Sequence, residues 1–453
     1  MSDHDSPGSG LLDPIFVSER VARCFGDRAL VGRMLDFEAA LAAAEAEAGV
    51  IPAEAAHAIA RICDPKLYDI GALGQAAALA GNPLIPLVKA LTAKVEEAGR
   101  GHVHWGATSQ DAIDTALMLA AKDALPLIRG DLDAAGAALA GLADAHRGTL
   151  MAGRTWMQQA LPITFGAKCA VWLSGLTEAR RALAHAEREA PALQFGGAAG
   201  TLAALGDKGL LVRATLAKKL ALAEAPVTWH ATRGRIAMLA FALAQVSGAA
   251  TKIAGDVLLL MQSEVNEAFE PAAAGKGGSS TMPHKRNPVG AAAIRANHRR
   301  VVGLVATIVA SMEQEHERAP GGWAAEWQTL RDLFVLVGGS VERLKTMLEG
   351  LEVDPTRMRE NFDAALGLPM AESLAMALAE TIGRDKAKHW MEAASKKAVS
   401  SGRPLAAVVK EEPAITGNLS ADEIERALDP ARYLGAADAM IDAAIAEFTR
   451  KES

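Results

Sequence analysis

Apolar side chains recur at intervals of three and four residues along three long stretches of the chain. The clearest stretch comprises Ile236, Leu239, Leu243, Val246, Ala250, Ile253, Val257 and Leu260. Two further series run from Ile294 to Met312 and from Leu330 to Leu351. This spacing is typical of one buried face of an α-helix. The first series would cover about seven helical turns, so we expect long helices that pack in a bundle.

Signals for β-strands are sparse by comparison. Aromatic residues make up only 4% of the chain, and the strand-like pieces near Leu161 and Thr228 are short. Strands favour aromatic and β-branched residues in alternation. The sequence therefore predicts an all-α fold, with an elongated central bundle of long helices flanked by two smaller helical domains.

Breaks in the helical pattern suggest where these domains begin and end. Prolines and glycines punctuate the first hundred or so residues, and again the region after Arg357. Ser420 followed three residues later by Glu423 is a capping-box pattern for a late helix. We predict an N-terminal helical domain over 1–112, a central long-helix domain over 113–357 and a C-terminal helical domain over 358–453.

Composition excludes several classes of protein. The 453 residues are 50% hydrophobic and carry a formal charge of -7, so nothing favours a nucleic-acid surface. The three cysteines, Cys24, Cys63 and Cys169, are far apart, which suits a reducing compartment. No charge-free apolar run reaches the roughly 18 residues of a membrane span, and the N-terminus lacks an apolar signal-peptide region. We expect a cytoplasmic protein without a membrane partner. Because no His, Cys, Asp and Glu cluster has ligand spacing, and no Gly-rich loop follows a strand, we expect neither a metal nor a cofactor.

The segment GKGGSSTMPHKRNP, residues 275–288, interrupts the helical pattern. Its glycines allow positive φ angles, and Pro283 and Pro288 prevent either flanking helix from continuing. Backbone N–H groups beside Lys285 could bind an anion. GKGGSS alone would be a solvated linker, but a linker has no need of the TMPHKRNP that follows. The order of residues excludes a P-loop. The segment predicts a hinged lid over an anionic ligand.

This segment resembles the signature loop of the fumarase/aspartase superfamily, which includes adenylosuccinate and argininosuccinate lyases. HVHWGATSQDAIDT (102–115) and GRTWMQQALPITFG (153–166) match the other two shared segments of that superfamily. The resemblance implies a homotetramer of long-helix bundles. It also implies that each active site combines the three segments from three different subunits.

Within the superfamily, the chain is most similar to the bacterial 3-carboxy-cis,cis-muconate cycloisomerases. The similarity lies in WGATSQD, QFGGAAGTL (194–202) and EHERAPGGWAAEW (315–327). Trp156 and Ala292 stand where fumarate-releasing relatives usually have a paired His and Glu, and Gln159 stands where muconate enzymes often have His. The resemblance implies lactonisation of a small tricarboxylate in aromatic-acid catabolism. A fumarate-releasing carbon-nitrogen lyase and a non-catalytic helical scaffold remain alternatives.

The resemblance also suggests the site residues. Ser279 is the candidate proton carrier, with Ser280 as a competitor, and Lys285 and His104 complete the catalytic set. A serine hydroxyl is a weak base, so its oxyanion would need stabilisation by N–H groups and Lys285. The predicted substrate-binding residues are Thr108, Ser109, Gln110, Arg154, Gln158, Met282 and Asn287.

Two arginines are candidates from their setting alone. Arg233 and Arg235 lie in WHATRGR, at the start of the longest apolar series. We list both as substrate-binding candidates and expect one of them to contact a substrate carboxylate. The alternative is surface or inter-subunit salt bridging. Glu315 to Arg318 could equally lie at the edge of an active site or form an ion-paired helix end.

Overall fold

The computed structural model describes residues 10–273, 275–278, 282 and 285–450. Over these residues the chain folds almost entirely into α-helices, joined by short loops and three two-stranded sheets. The prediction of an all-α fold is therefore confirmed.

Seven helices lie within residues 10–100 of the described chain, and they vary in length from 4 to 21 residues. They are α1 (Asp13–Phe16), α2 (Glu19–Cys24), α3 (Asp27–Glu47), α4 (Ala53–Ala60), α5 (Ile70–Ala80), α6 (Leu84–Lys94) and α7 (Glu97–Arg100). Gly81, with φ of 79°, ends α5 in the left-handed conformation that glycine adopts readily.

The middle of the chain contains the long helices. They are α8 (Ser109–Ala145), α9 (Phe165–Glu189), α10 (Gly209–Leu220), α11 (Gly234–Leu260), α12 (Val289–Ala310) and α13 (Gly322–Glu349). Every member of the clearest apolar series is buried along α11. The second series overran its helix: α12 ends at Ala310, and Met312 lies in the following turn, 42% exposed.

The remaining helices have 18 residues or fewer. They are α14 (Pro355–Asp363), α15 (Ala371–Ile382), α16 (Arg384–Ser401), α17 (Leu405–Lys410), α18 (Pro413–Thr416), α19 (Ala421–Leu428) and α20 (Ala437–Thr449). Ser420 and Glu423 form the predicted capping box at the start of α19. Short 3-10 helices occupy Pro65–Leu67, Ala203–Lys208, Leu368–Met370 and Pro430–Arg432.

The strands form small pairs only. The antiparallel pair β1 (Leu150–Thr155) and β2 (Gln158–Thr164) is the longest. The others are the parallel pair β3 (Ala192–Leu193) and β4 (Ala223–Glu224), and the antiparallel pair β5 (Ala268–Phe269) and β6 (Glu352–Val353). The strand signal near Leu161 corresponds to β2, whereas Thr228 lies in a loop.

The chain divides into two compact units. The first comprises 1–133, 178–251 and 293–344, and the second comprises 134–177, 252–292 and 345–453. All five boundaries fall inside a long helix. In the first unit Phe25 packs against Phe334 with ring centroids 5.0 Å apart. In the second, Leu374, Met391, Val408 and Ile424 belong to the core of the C-terminal helices.

By length and composition, α11 is apolar enough to cross a membrane. Within the qualifying window 56% of the residues are buried inside the protein. Buried core helices share this composition.

Candidate functional site

The N-terminus of α8 carries three of the predicted substrate-binding residues. Thr108 and Ser109 are half-buried, and Gln110 is buried. The Thr108 N–H donates to Asp111 Oδ2 at 3.0 Å, and Thr108 Oγ1 accepts a hydrogen bond from Arg318. A side-chain acceptor one turn into the helix satisfies an N–H that the helix itself leaves unpaired. The turn that presents Thr108 is therefore held in place.

Asp111 also connects this turn to two other segments of the first unit. Its carboxylate accepts the N–H groups of Gly196 and Gly197, each at 2.9 Å. Nε2 of His230 lies 2.7 Å from Asp111 Oδ1, and both side chains are almost fully buried. A buried carboxylate is tolerated only when its oxygens are well satisfied, and Asp111 meets that condition.

Arg233, in the loop before α11, is fully buried between two further carboxylates. Its Nη1 and Nη2 donate to Asp114 at 2.8 and 3.1 Å, and its Nε donates to Glu326 at 3.0 Å. Nη1 also donates to the Trp229 carbonyl, and Nη2 to Glu326. Trp323 Nε1 donates to Asp114 as well, at 2.9 Å. We call Asp111, Asp114, His230, Arg233 and Glu326 the buried polar network.

These bonds use all five N–H donors of the Arg233 guanidinium. Burial alone would lower the pKa of Arg233, but the charge of Asp114 and the hydrogen bonds with Glu326 and Asp114 outweigh it and raise that pKa. These contacts leave no N–H donor of Arg233 free for a substrate carboxylate. Its ion pairs lie inside the first unit, and not at a surface or between subunits as the alternative expected.

Gln110 and Arg235 also make contacts within the first unit. Gln110 Nε2 donates to Asp114 and to the His230 carbonyl, at 3.2 and 3.0 Å. Arg235 is half-buried and donates to the Glu189 carbonyl. A substrate-binding role for either residue stays a prediction.

His104 precedes α8 and pairs with a buried carboxylate of α3. Its Nδ1 lies 2.6 Å from Glu38 Oε1; the His104 side chain is 17% exposed and that of Glu38 is 1% exposed. Burial lowers the pKa of His104, but the charge and hydrogen bond of Glu38, with a further contribution from Asp111, outweigh burial and raise the pKa above its ordinary value.

In the second unit, the β1–β2 hairpin carries Arg154 and Gln158. Arg154 makes a two-pronged ion pair with the buried Glu267, with N–O distances of 2.8 and 2.6 Å. Gln158 is exposed and pairs in register with Thr155 across the turn. Gln159 Nε2 donates to the Asn361 carbonyl at 3.0 Å. The hairpin is thus fixed to its unit by Arg154 and Gln159.

The two turn residues of this hairpin are unusual. Trp156 and Met157 have φ of 51° and 64°, a conformation that side chains other than glycine rarely adopt. Trp156 is also 98% exposed and Met157 71% exposed. Backbone strain of this kind often accompanies function, and here it presents two large apolar side chains outward.

A cavity of about 390 Å³ adjoins the hairpin within the second unit. Arg154, Trp156, Lys168, Lys252 and Asp256 help to line it. Burial lowers the pKa of Lys168, and the nearby charges of Lys252 and Arg154 lower it further, against the opposing effect of Asp256. The cavity therefore combines apolar surface with an excess of cationic side chains.

Hydrogen bonds and an ion pair connect the residues at the base of the signature segment. The Asn287 N–H donates to the Gly277 carbonyl at 2.9 Å. Arg286 makes a two-pronged ion pair with Glu352, at 2.9 and 2.8 Å, and donates to the Glu270 carbonyl at 2.7 Å. The buried Glu270 side chain accepts N–H groups of Gly290 and Ala291 at the start of α12, where the helix dipole favours a negative charge. We call Gly277, Asn287, Arg286, Glu270 and Glu352 the loop base.

The other candidates in this segment differ in their exposure to solvent. Lys285 is exposed and Asn287 is half-buried. Met282 is 41% exposed. Ser279 and Ser280 lie outside the described residues, so their assignment stays a prediction.

The structure thus gathers His104, Thr108, Ser109, Gln110, Arg233 and Arg235 in the first unit, and Arg154, Gln158, Met282, Lys285 and Asn287 in the second. Sequence reasoning missed the carboxylates that hold them: Glu38, Asp111, Asp114, Glu267 and Glu326. For the four that lie on helices, the sequence signal is a charged residue among apolar ones on a helical face, as at Asp114 between Ile113 and Leu117. Glu267 lies in the loop before β5 and gives no such signal. Within the described ranges no three His, Cys, Asp or Glu side chains are grouped to hold a metal ion.

Comparison with known proteins places this arrangement in a family. A family model described as "Lyase" matches residues 18–303, and one described as "Adenylosuccinate lyase C-terminus" matches residues 367–444. The chain belongs to this lyase family, as its resemblance to the fumarase/aspartase superfamily predicted.

Individual relatives show which enzymes of the family the chain is similar to. The chain is 50% identical to a 3-carboxy-cis,cis-muconate cycloisomerase of Bradyrhizobium diazoefficiens, over 96% of this chain and 97% of that one. It is 43% identical to a nitrosuccinate lyase of Streptomyces davaonensis, over 96% and 94% of the two chains. The crystal structure of a 3-carboxy-cis,cis-muconate lactonizing enzyme from Pseudomonas putida superposes with a TM-score of 0.92, at 45% identity, covering 97% of this chain and 99% of that one.

Proposed function

We propose that this protein is a cycloisomerase that converts 3-carboxy-cis,cis-muconate to a carboxymuconolactone, in the cytoplasm, as part of aromatic-acid breakdown. The observation that carries the proposal is the 50% identity, over nearly the whole of both chains, to a cycloisomerase of that name. The match extends over both units and is not confined to one shared motif.

The reaction sets clear chemical demands. One carboxylate oxygen of the substrate forms a C–O bond to an alkene carbon, and a proton is added to the neighbouring carbon, which is α to another carboxylate. Negative charge that accumulates on that carboxylate needs oriented donors and cations. The substrate also carries three carboxylates that must be bound.

The candidate residues divide these tasks. Ser279, or its neighbour Ser280, delivers the proton. Lys285, exposed beside the loop base, stabilises the serine oxyanion and the accumulating charge. His104, Thr108 and Ser109 donate to substrate carboxylates from the fixed turn before α8 of one subunit, and Asn287, Arg154 and Gln158 do so from other subunits. Arg233 positions that turn through Asp114 and does not touch the substrate.

Homotetramers with shared active sites are part of the proposal. Trp156, 98% exposed, is a large apolar side chain that a monomer has no reason to present to water. Phe241 on α11 and Val302 on α12 are also exposed, at 48% and 57%. In a tetramer, other copies of the chain would cover these three side chains and remove them from water.

The test follows the ultraviolet absorbance of the muconate diene. Wild type should consume the diene, whereas Ser279→Ala and Lys285→Ala should each lose at least 100-fold of the rate, on the order of what one positioned catalytic group contributes. Lys386→Ala, which removes an exposed lysine of α16, is the matched control and should behave as wild type. A folded wild type that leaves the diene untouched would refute the proposal.

The similarity to a nitrosuccinate lyase supports a second candidate, a carbon-nitrogen lyase that eliminates to fumarate. Its test is the release of fumarate from nitrosuccinate or adenylosuccinate, measured with the same variants. Fumarate release without diene consumption would favour this candidate. Activity in neither assay would favour a non-catalytic scaffold.

A further inference from the structure

Glu38 pairs with His104 in the first unit, and the reaction as proposed gives Glu38 no role. Glu38 lies on α3, 1% exposed, and its Oε1 is 2.6 Å from Nδ1 of His104. A distance this short is typical of a charge-assisted hydrogen bond. Glu38 Oε2 is buried without a hydrogen-bond partner, so the bond to His104 is the main compensation for burying this carboxylate.

The backbone of His104 is held in an unfavourable conformation at the same place. Its φ is 56°, in the left-handed region that costs a residue with a Cβ roughly 1–2 kcal/mol. A residue keeps such a conformation only where its surroundings enforce it. The contact with Glu38 supplies that constraint and fixes the orientation of the imidazole ring.

The other ring nitrogen faces a different environment. Nε2 of His104 is not among the fully buried unpaired nitrogens, and no hydrogen bond joins it to any described residue. When one imidazole nitrogen donates to a carboxylate, the protonation of the other is set by that bond. Nε2 is thus the nitrogen that can reach a ligand.

We propose that Glu38 is a positioning residue, which holds His104 as an imidazolium with Nε2–H directed at one carboxylate of the substrate. This inference deepens the proposed function and rests on it for the identity of the ligand. The carboxylates that act on His104 are Glu38 on α3 and Asp111 on α8, and both favour the charged ring. Arg318, the cation at this turn, is bonded to Thr108.

α3 also offers a matched control. Glu45 lies two helical turns beyond Glu38, is 0% exposed, and has no hydrogen-bond partner at either oxygen. Burial, with the charge of Glu38, raises the pKa of Glu45 to about 9. Glu45 is therefore already neutral at pH 7, and Glu45→Gln changes neither charge nor size.

The experiment uses the full chain labelled with ¹³C at the Cε1 of histidine, with the His104 signal assigned by its loss in His104→Gln. In Glu38→Gln the midpoint of the His104 titration should fall relative to wild type, since the charge that favours the imidazolium is gone. In Glu45→Gln it should not move. Equal titrations in wild type and Glu38→Gln, or an equal shift in Glu45→Gln, would overturn the proposal.

The ligand half is tested with tricarballylate, a saturated tricarboxylate that cannot react. It should shift the His104 signal in wild type, and at pH 7.5 its Kd should rise about tenfold or more in Glu38→Gln, the usual effect of losing one charged hydrogen bond. In a His104→Gln background, Glu38→Gln should cause no further rise in the Kd for tricarballylate. Additive effects, or binding that leaves the His104 signal in place, would overturn the assignment. Neither the titration nor the binding measurement needs turnover. A failure of the cycloisomerase assay can therefore be distinguished from a failure of this proposal.

Discussion

The buried polar network and the loop base both hold predicted site residues, but by different means. In the network, Asp111, Asp114 and Arg233 are almost fully buried and use nearly every donor and acceptor on one another and on nearby backbone. In the loop base, Arg286 and Glu352 are 40% and 45% exposed and form an ordinary surface ion pair.

The difference bears on what each region can do. Buried ionic contacts are costly to break, so the turn at Thr108 is preorganised for binding. Exposed pairs contribute little, so the ion pair between Arg286 and Glu352 adds little to the stability of the loop base. The first region suits a fixed anion site, and the second suits a lid.

Arg233→Met should have the largest effect, and it tests whether the buried polar network is as costly to disrupt as its burial implies. It leaves Asp114 and Glu326 buried without their common cation, so the free energy of unfolding should fall by about 3–5 kcal/mol. Urea denaturation measures the loss. Arg235→Met, two residues along and half-buried, should cost less than about 1 kcal/mol. If Arg233→Met kept its stability and changed only KM, Arg233 would be a substrate residue after all.

The next test concerns Glu45, a buried carboxyl of the first unit with no hydrogen-bond partner at either oxygen. Glu45, with its pKa raised to about 9 by burial, keeps its proton when folded and loses it when unfolded between about pH 4.5 and 9. The unfolded state therefore binds fewer protons, and stability should fall as pH rises through this window. Glu45→Gln should remove roughly 2–3 kcal/mol of that fall by pH 7.

The measurement is thermal unfolding of both proteins from pH 5 to pH 8. Glu47→Gln is the control, since Glu47 lies on the same helix but is 60% exposed and paired with Lys219. Parallel stability profiles for wild type and Glu45→Gln would show that Glu45 is ionised in the folded protein.

A smaller effect is expected at the loop base. A Cβ on Gly277 would lie far inside contact distance of the Asn287 carbonyl, and φ is +65°. Gly277→Ala should therefore disturb the closure of the loop by about 1–2 kcal/mol, which corresponds to roughly a tenfold loss of kcat/KM. Gly278 has open space around its Cα, so Gly278→Ala is the matched control and should retain activity. Equal losses in both would point to loop flexibility in place of a steric requirement.

The smallest effect should come from Arg286→Met. The exposed pair with Glu352 is expected to contribute less than about 1 kcal/mol to stability. The pKa of Glu352 is lowered by its hydrogen bond from Arg286, so this contribution is present at neutral pH and lost as the solution becomes acidic. A loss as large as that of Arg233→Met would mean that the two regions do not differ as described.

Local patterns predicted the fold well. The apolar series along α11 is buried at every position, and the capping box at Ser420 forms as expected. Both depend on residues within a few turns of each other, which is why spacing alone revealed them. The ends of α12 and α13 were less accurate, since Met312 and Leu351 continue the apolar spacing beyond the last helical turn. The three-domain division stays a prediction.

The helical architecture, the family and the short list of segments that carry chemistry all follow from the amino-acid sequence. The tertiary structure was needed to show which residues of those segments still have free hydrogen-bond donors. Arg233 in WHATRGR and Arg154 in GRTWMQQALPITFG are both arginines that the sequence offers as substrate-binding residues. Arg233 has all its donors bonded to Asp114, Glu326 and Trp229, whereas Arg154 donates to Glu267 from a half-exposed strand. Arg233 and its carboxylates are about 90 to 120 residues apart along the chain, and no local period records a pairing at that separation.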